Sequence, residues 1–312
     1  MIRKKITCTV GLCLAVFLAI LVPASSDPTA CRQIDLSYGP HPAQILDLYT
    51  PCHEGTFPAV IYIHGGGWWS GDKAYFSQAD IDFFLSRNIA LASINYRNLD
   101  QARTDGLFPP VYGPLVDARG AVAFLQAHAR ELHLDPRRMA TYGGSAGGFS
   151  ALWVGLSAGM TDLPDFKGSL PKIEPMKAIG GVDAQTTIDP IEMRDWVSAD
   201  IAYGGHAFGL AENEFDRFLR NRDQYQTYIP KISPSDLVGA GAPPLYLIYS
   251  AALDSREKDH NSLVHDPRFG IEFGKLAEKA GVSTVVVGNA RNDATAMQGL
   301  MHFLARSLGE DR

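Results

Sequence analysis

The chain has 312 residues, 46% of them hydrophobic, with 30 glycines and 19 prolines, a globular make-up that excludes collagen, coiled coil and wholesale disorder. Its formal charge is -6, and apart from Arg3-Lys4-Lys5 no three basic residues are consecutive, so it carries no footprint for nucleic acid.

The first 24 residues read as a secretory signal: a basic start, an almost uncharged apolar stretch from Ile6 to Val22, then Pro23-Ala24-Ser25-Ser26 with small residues where cleavage needs them. This places the protein outside the cell or in a periplasm. The apolar stretch approaches the ~20 residues that span a bilayer, so an uncleaved membrane anchor is the alternative. Cys8 and Cys13 leave with the signal, and the pair that remains, Cys31 and Cys52, is expected to be bridged on an oxidising route. These two bracket a pair of strands, Gln33 to Tyr38 and Ala43 to Tyr49, with a Gly39-Pro40-His41-Pro42 turn between them; hairpin pairing would set the cysteines side by side.

Beyond the hairpin, short β-branched runs alternate with longer helical stretches, the pattern of βαβ units and a mostly parallel sheet within one domain over 25–312. The predicted strands are Ala59 to Ile63, Ala90 to Asn95, Met139 to Tyr142, Met176 to Val182, Leu245 to Ser250 and Thr284 to Val287. Predicted helices are Tyr75 to Arg87, Gly113 to His133, Ala146 to Ser157, Pro267 to Ala280 and Ala294 to Leu308. The stretch from Ala184 to about Val238 breaks the alternation. It is charged and aromatic-rich, partly helical around Glu212 to Asp223, and reads as a cap-like insertion over the carboxyl edge of the sheet.

Two motifs carry chemistry. Gly143-Gly144-Ser145-Ala146-Gly147-Gly148 follows a predicted strand and opens a predicted helix, the context of a nucleophile elbow, in which small neighbours permit a sharp turn and leave the Ser145 hydroxyl open to substrate. His64-Gly65-Gly66-Gly67-Trp68 follows the strand Val60-Ile61-Tyr62-Ile63; such a loop turns backbone N–H groups toward an oxygen that becomes negative during ester cleavage. Gly66, Gly67 and Ala146 are the expected oxyanion donors, and His64 reads as a brace for the loop. Trp68, Trp69 and Trp153 lie near these motifs in sequence and read as packing, with an acyl-pocket wall as the alternative.

On these motifs the sequence resembles the serine esterases of the hormone-sensitive-lipase and feruloyl-esterase-like branches of the α/β-hydrolases, over about residues 32 to 308. Scaffold pieces agree: Ser93-Ile-Asn-Tyr-Arg97, Phe108-Pro109-Pro110 leading to Asp117-Ala-Arg-Gly-Ala-Val122, and Leu134-Asp135-Pro136-Arg137-Arg138. The resemblance implies an α/β-hydrolase fold and hydrolysis of a carboxylic ester, short-acyl or acylated carbohydrate, through an acyl-enzyme on Ser145. It implies no cofactor, and no His/Cys/carboxylate cluster shows metal-ligand spacing apart from the loose group His260, His265 and Asp266. It also places the acid at Asp254, after Leu245-Tyr-Leu-Ile-Tyr-Ser250, with Asp259 and Asp266 as runners-up. The base should lie in the loop before the last helix, but Gly288-Asn289-Ala290-Arg291-Asn292-Asp293 contains no histidine. His260 and His265, on the polar stretch from Ser255 to Asp266, are the relocated candidates, with His265 assigned; His302, inside the last helix, reads as surface. A serine without a base is barely nucleophilic, so the second reading is an impaired esterase homologue that binds a ligand in the retained cleft.

Overall fold

The structure is a computed structural model that describes residues 30–290 and 294–309; the expected signal segment, residues 1–24, and Arg291 to Asp293 lie outside the described residues. The strands are β1 (Ala30–Ser37), β2 (Ile45–Pro51), β3 (Phe57–Ile63), β4 (Ala90–Ile94), β5 (Leu134–Gly144), β6 (Ile179–Val182), β7 (Leu245–Ile248) and β8 (Thr284–Val287). They form one 8-stranded sheet in the order β1-β2-β4-β3-β5-β6-β7-β8. Strand β2 runs antiparallel to β1 and β4, and every other pair is parallel.

Helices pack on both faces: α1 (Gln78–Leu85), α2 (Leu99–Thr104), α3 (Tyr112–Ala127), α4 (Ala146–Leu156), α5 (Pro190–Trp196), α6 (Phe215–Arg220), α7 (Ile229–Ile232), α8 (Pro234–Leu237), α9 (His260–Val264), α10 (Arg268–Lys279) and α11 (Ala294–Ser307). The period-two alternation of strand side chains sorts the core. On β3, Ala59, Ile61 and Ile63 join the layer under α3, α4 and α10, with Phe149, Phe269 and Phe273. Val60 points the other way, to Ile81 and Phe84 of α1 and Leu300 and Leu304 of α11. This is the α/β-hydrolase fold that the resemblance implied.

Element boundaries moved where local chemistry intervened. The helix expected from Tyr75 begins only at Gln78, because Ser77 caps it by accepting from the Asp80 N–H. The one expected to run to His133 stops at Ala127, and a turn containing His133 at φ 57° leads into a β5 longer than expected, extending back to Leu134, which pairs with Phe57. The hairpin pairs Cys31 with Thr50, and Cys31 and Cys52 are joined by a disulfide with their Cα atoms 5.0 Å apart.

The scaffold motifs also have physical roles. Asp117 of α3 is 1% exposed and accepts from Arg97 Nε (2.9 Å), from Arg97 N–H (2.9 Å) and from Gln44 Nε2 (2.7 Å). This ties the chain after β4 and the turn before β2 to α3. Arg119, equally buried, donates to the carbonyls of Pro171 (2.6 Å) and Met160 (2.9 Å), so its charge is met by backbone dipoles.

Candidate active site

Strand β5 ends at Gly144 and α4 begins at Ala146, leaving Ser145 alone in the turn with φ 52° and ψ −125°. A side chain held there is strained, and it stands clear of both elements. Close approach makes the turn possible: a Cβ on Gly147 would lie 2.1 Å from the Ile63 carbonyl oxygen and 2.5 Å from that of His64. Only glycine lets α4 sit this near the end of β3.

The loop after β3 meets the elbow at that point. Gly66 has φ 99°, and a Cβ on it would fall 2.3 Å from the Ser70 carbonyl oxygen, so the bend demands glycine. Its own carbonyl accepts from Trp69 (2.9 Å) and Ser70 (3.2 Å), which closes the turn. Among the described residues the N–H groups of Gly66, Gly67 and Ala146 take no backbone partner, so they remain available beside the serine. His64 braces the loop: its ring stacks on Tyr96 with centroids 4.2 Å apart, its Nδ1 contacts the Gly65 carbonyl at 2.9 Å, and Tyr96 Oη donates to the His64 carbonyl at 2.7 Å. Burial lowers the His64 pKa and favours the neutral ring.

The structure brings His265 to Ser145. Its Nε2 lies 2.9 Å from Ser145 Oγ, and its Nδ1 lies 3.0 Å from the Asn261 carbonyl, one helical turn back. With Nδ1 carrying the proton toward that carbonyl, Nε2 is left as a lone pair facing the serine hydroxyl. Both residues are half-buried, open enough for a substrate to reach.

The carboxylate expected at this site is the point of correction. Asp254 is exposed on the turn after β7, where it lines a surface pocket with Arg256, Lys258 and Arg268, and no hydrogen bond joins it to His265. The runners-up have other work. Asp259 caps α9 by accepting from the Ser262 N–H (3.1 Å), and Asp266, 2% exposed, is paired with Arg268 at 2.5 Å. The remaining candidate bases lie elsewhere: His302 packs edge-on against Phe83 at 5.1 Å, and His260 lines a neighbouring cavity.

Three residues that no sequence pattern singled out hold the arrangement. Gln185, fully buried after β6, donates from Nε2 to the Val264 carbonyl at 2.7 Å, fixing the residue before His265. Thr186 Oγ1 does the same for Phe269 at 2.7 Å. Asp183, at φ 49°, accepts from the N–H and Oγ of Ser250 at 2.6 Å each and so ties the end of β6 to the turn after β7. A polar residue following a short buried strand was the only signal available for them.

The tryptophans divide as packing predicts. Trp68 and Trp153 are fully buried, with Nε1 donating to Ser150 Oγ (3.0 Å) and the Lys231 carbonyl (2.9 Å), whereas Trp69 is half-buried and faces a cavity next to the glycine loop.

Comparison with known proteins points the same way. The sequence profile of the BD-FAE family matches residues 46–259. The isoprenylcysteine alpha-carbonyl methylesterase ICME of Arabidopsis thaliana is 24% identical over 223 residues, covering 69% of this chain and 47% of its own. Carboxylesterase NlhH of Mycobacterium tuberculosis is 23% identical over 264 residues, covering 82% and 70%. The chain thus spans about half the length of ICME, and likewise 49% of the esterase LipC of M. tuberculosis. Among solved structures, a truncated carbohydrate esterase from gut microbiota superposes with a TM-score of 0.68 at 16% identity, covering 91% of this chain and 98% of that one. The Thermogutta terrifontis esterase Est2 does so with 0.60 at 22%, covering 90% and 92%.

Proposed function

The chain belongs to the BD-FAE family, and from that premise we propose that it is a carboxylic ester hydrolase working through an acyl-enzyme on Ser145, with His265 as the base. The observation that carries this reading is the 2.9 Å contact between Ser145 Oγ and His265 Nε2.

Ser145 Oγ attacks the ester carbonyl while its proton passes to His265 Nε2. The carbonyl oxygen, now negative, is met by the N–H groups of Gly66, Gly67 and Ala146, worth roughly 3–4 kcal/mol per donor in comparable sites. Collapse expels the alkoxide, which takes the proton from His265, and leaves Ser145 acylated. Water then gives a proton to His265 and attacks the acyl carbon; Ser145 leaves, recovering that proton, and the acid departs. The Asn261 carbonyl fixes the tautomer, a task for which a carboxylate is the usual choice. The ligand-binding alternative was motivated by the lack of a base, and His265 removes that motive.

Within this reading the substrate is a short-acyl or acylated-carbohydrate ester, in keeping with the carbohydrate esterase among the structural neighbours. Export fits the apolar leader read from residues 1–24 and the Cys31–Cys52 bridge. Among the described residues no helix is long and apolar enough to cross a membrane. The test is hydrolysis of p-nitrophenyl acetate and fluorophosphonate labelling of the wild type beside Ser145→Ala. Turnover and labelling that both vanish in the variant are the expected result; labelling that persists in Ser145→Ala overturns it.

A further inference from the structure

Beside the glycine loop lies a narrow cavity of about 70 Å³, walled by Gly67, Trp69, Tyr203, His206, Phe215 and His260. Gly67 belongs both to this wall and to the proposed oxyanion donors, so the cavity adjoins the place where the ester carbonyl sits. Its size is telling: one water needs only ~10–15 Å³ of such space, so the cavity takes a small group of a few heavy atoms. A bulky aromatic substituent does not fit.

The buried polar side chain of this cavity is His206, which shares the wall with the half-buried Tyr203 and the exposed His260. Its ring is 5% exposed and is packed among Tyr203 (centroids 4.8 Å apart), Trp68 (5.6 Å) and Trp69 (6.3 Å). Its Nε2 is buried with no hydrogen-bond partner. Native folds seldom leave such an atom unpaired unless something outside the chain pairs with it. The Gly67 backbone beside the ring favours its protonated form. Burial dominates, however, and pushes the pKa down to about 4, which keeps the imidazole neutral. A neutral imidazole has a single N–H. The unpaired Nε2 therefore calls for a partner that can donate or accept, as a hydroxyl does.

We propose that His206 is a specificity-determining residue that hydrogen-bonds a hydroxyl carried next to the ester bond of the substrate. The inference rests on the hydrolase reading above and narrows its substrate to hydroxyl-bearing esters with a small substituent on the cavity side. Size and chemistry agree, since a hydroxymethyl group has two heavy atoms and supplies the hydroxyl. Sites built to hydrogen-bond a substrate hydroxyl discriminate strongly against analogues lacking it, because a buried polar atom is then left unpaired.

Three esters separate the possibilities: ethyl acetate, ethyl glycolate with the hydroxyl on the acyl side, and 2-hydroxyethyl acetate with it on the alcohol side. One of the two hydroxylated esters is expected to exceed ethyl acetate in kcat/KM by at least about tenfold, and which one identifies the side that enters the cavity. His206→Phe is expected to bring that ratio to within about threefold of unity. Phe215→Trp, which narrows the same cavity from another wall, should also lower it and carries the test if His206→Phe does not fold. A wild-type ratio near unity, as an internal water on Nε2 would produce, overturns the inference while leaving the hydrolase reading intact. So does a high ratio that persists in the folded variants. Failure to hydrolyse any of the three esters removes both.

Discussion

The elbow and the segment from Ser255 to Asp266 each supply one half of the Ser145–His265 pair, yet they are held in place by different means. At the elbow, backbone meets backbone: glycines let the end of β3, the turn after β5 and the start of α4 come within contact distance. The histidine segment is held by side chains from elsewhere, chiefly Gln185 on the Val264 carbonyl, and by its own α9 turn, whose Asn261 carbonyl orients the ring. A site half can therefore be fixed by what is absent from the chain, namely Cβ atoms, or by what a distant residue adds. Both join distant parts of the chain, Gly147 meeting Ile63 and His64 and Gln185 meeting Val264.

The largest expected effect breaks the pair itself. His265→Ala should lower kcat by ~10⁴ to 10⁶, as loss of one member of a catalytic unit does, and combining it with Ser145→Ala should lower it little further. Burst and steady-state kinetics on p-nitrophenyl acetate give the measurement. Retention of most activity in His265→Ala would show that the histidine segment contributes no base, and the two halves would cease to be one site. Next comes the glycine loop. Gly66→Ala adds a Cβ 2.3 Å from the Ser70 carbonyl oxygen at φ 99°, so the loop must shift and its N–H groups lose their aim. A fall in kcat of about 10² is expected, the scale of losing an oxyanion donor, with circular dichroism unchanged.

How much of this was legible in the sequence follows the same division. Gly143 to Gly148 and His64 to Gly67 could be read directly, because a glycine requirement is written at the position where it acts. The strands and helices followed from alternation and from the 3.6-residue period, and they erred at ends set by single contacts, as at Ser77 and His133. His265 could be offered only among several histidines. What selects it is the geometry of α9 and the grip of Gln185, which is 79 residues away in the chain. Asp254 was placed by resemblance to a family in which the acid follows this strand. Here the turn after β7 turns outward and carries Asp254 to solvent among Arg256, Lys258 and Arg268. The role of His206 was invisible, since nothing in the run Gly204-Gly-His-Ala-Phe208 announces that it packs against Gly67.

A smaller effect sharpens the contrast. Gln185→Ala removes the bond to the Val264 carbonyl and leaves that carbonyl unpaired, without touching Ser145 or His265. The segment would keep its fold but lose its registration, so kcat should drop by about tenfold with KM within about twofold, the signature of a mispositioned base. An equal drop in Tm with no change in kcat would mean that Gln185 serves packing alone.

The smallest expected effect is the most discriminating, because it concerns a residue that family resemblance would name as essential. Asp254→Asn keeps size and polarity and removes the charge. A carboxylate that held the base would, on losing its charge, lower kcat by ~10⁴. In this structure the Nδ1 proton goes to the Asn261 carbonyl at 3.0 Å, and Asp254 is an exposed side chain, so the expected change in kcat/KM is less than about threefold. A loss of three or more orders of magnitude would mean that the segment from Ser255 to Asp266 swings Asp254 against His265 during turnover. The backbone carbonyl would then describe only the resting arrangement of the histidine half.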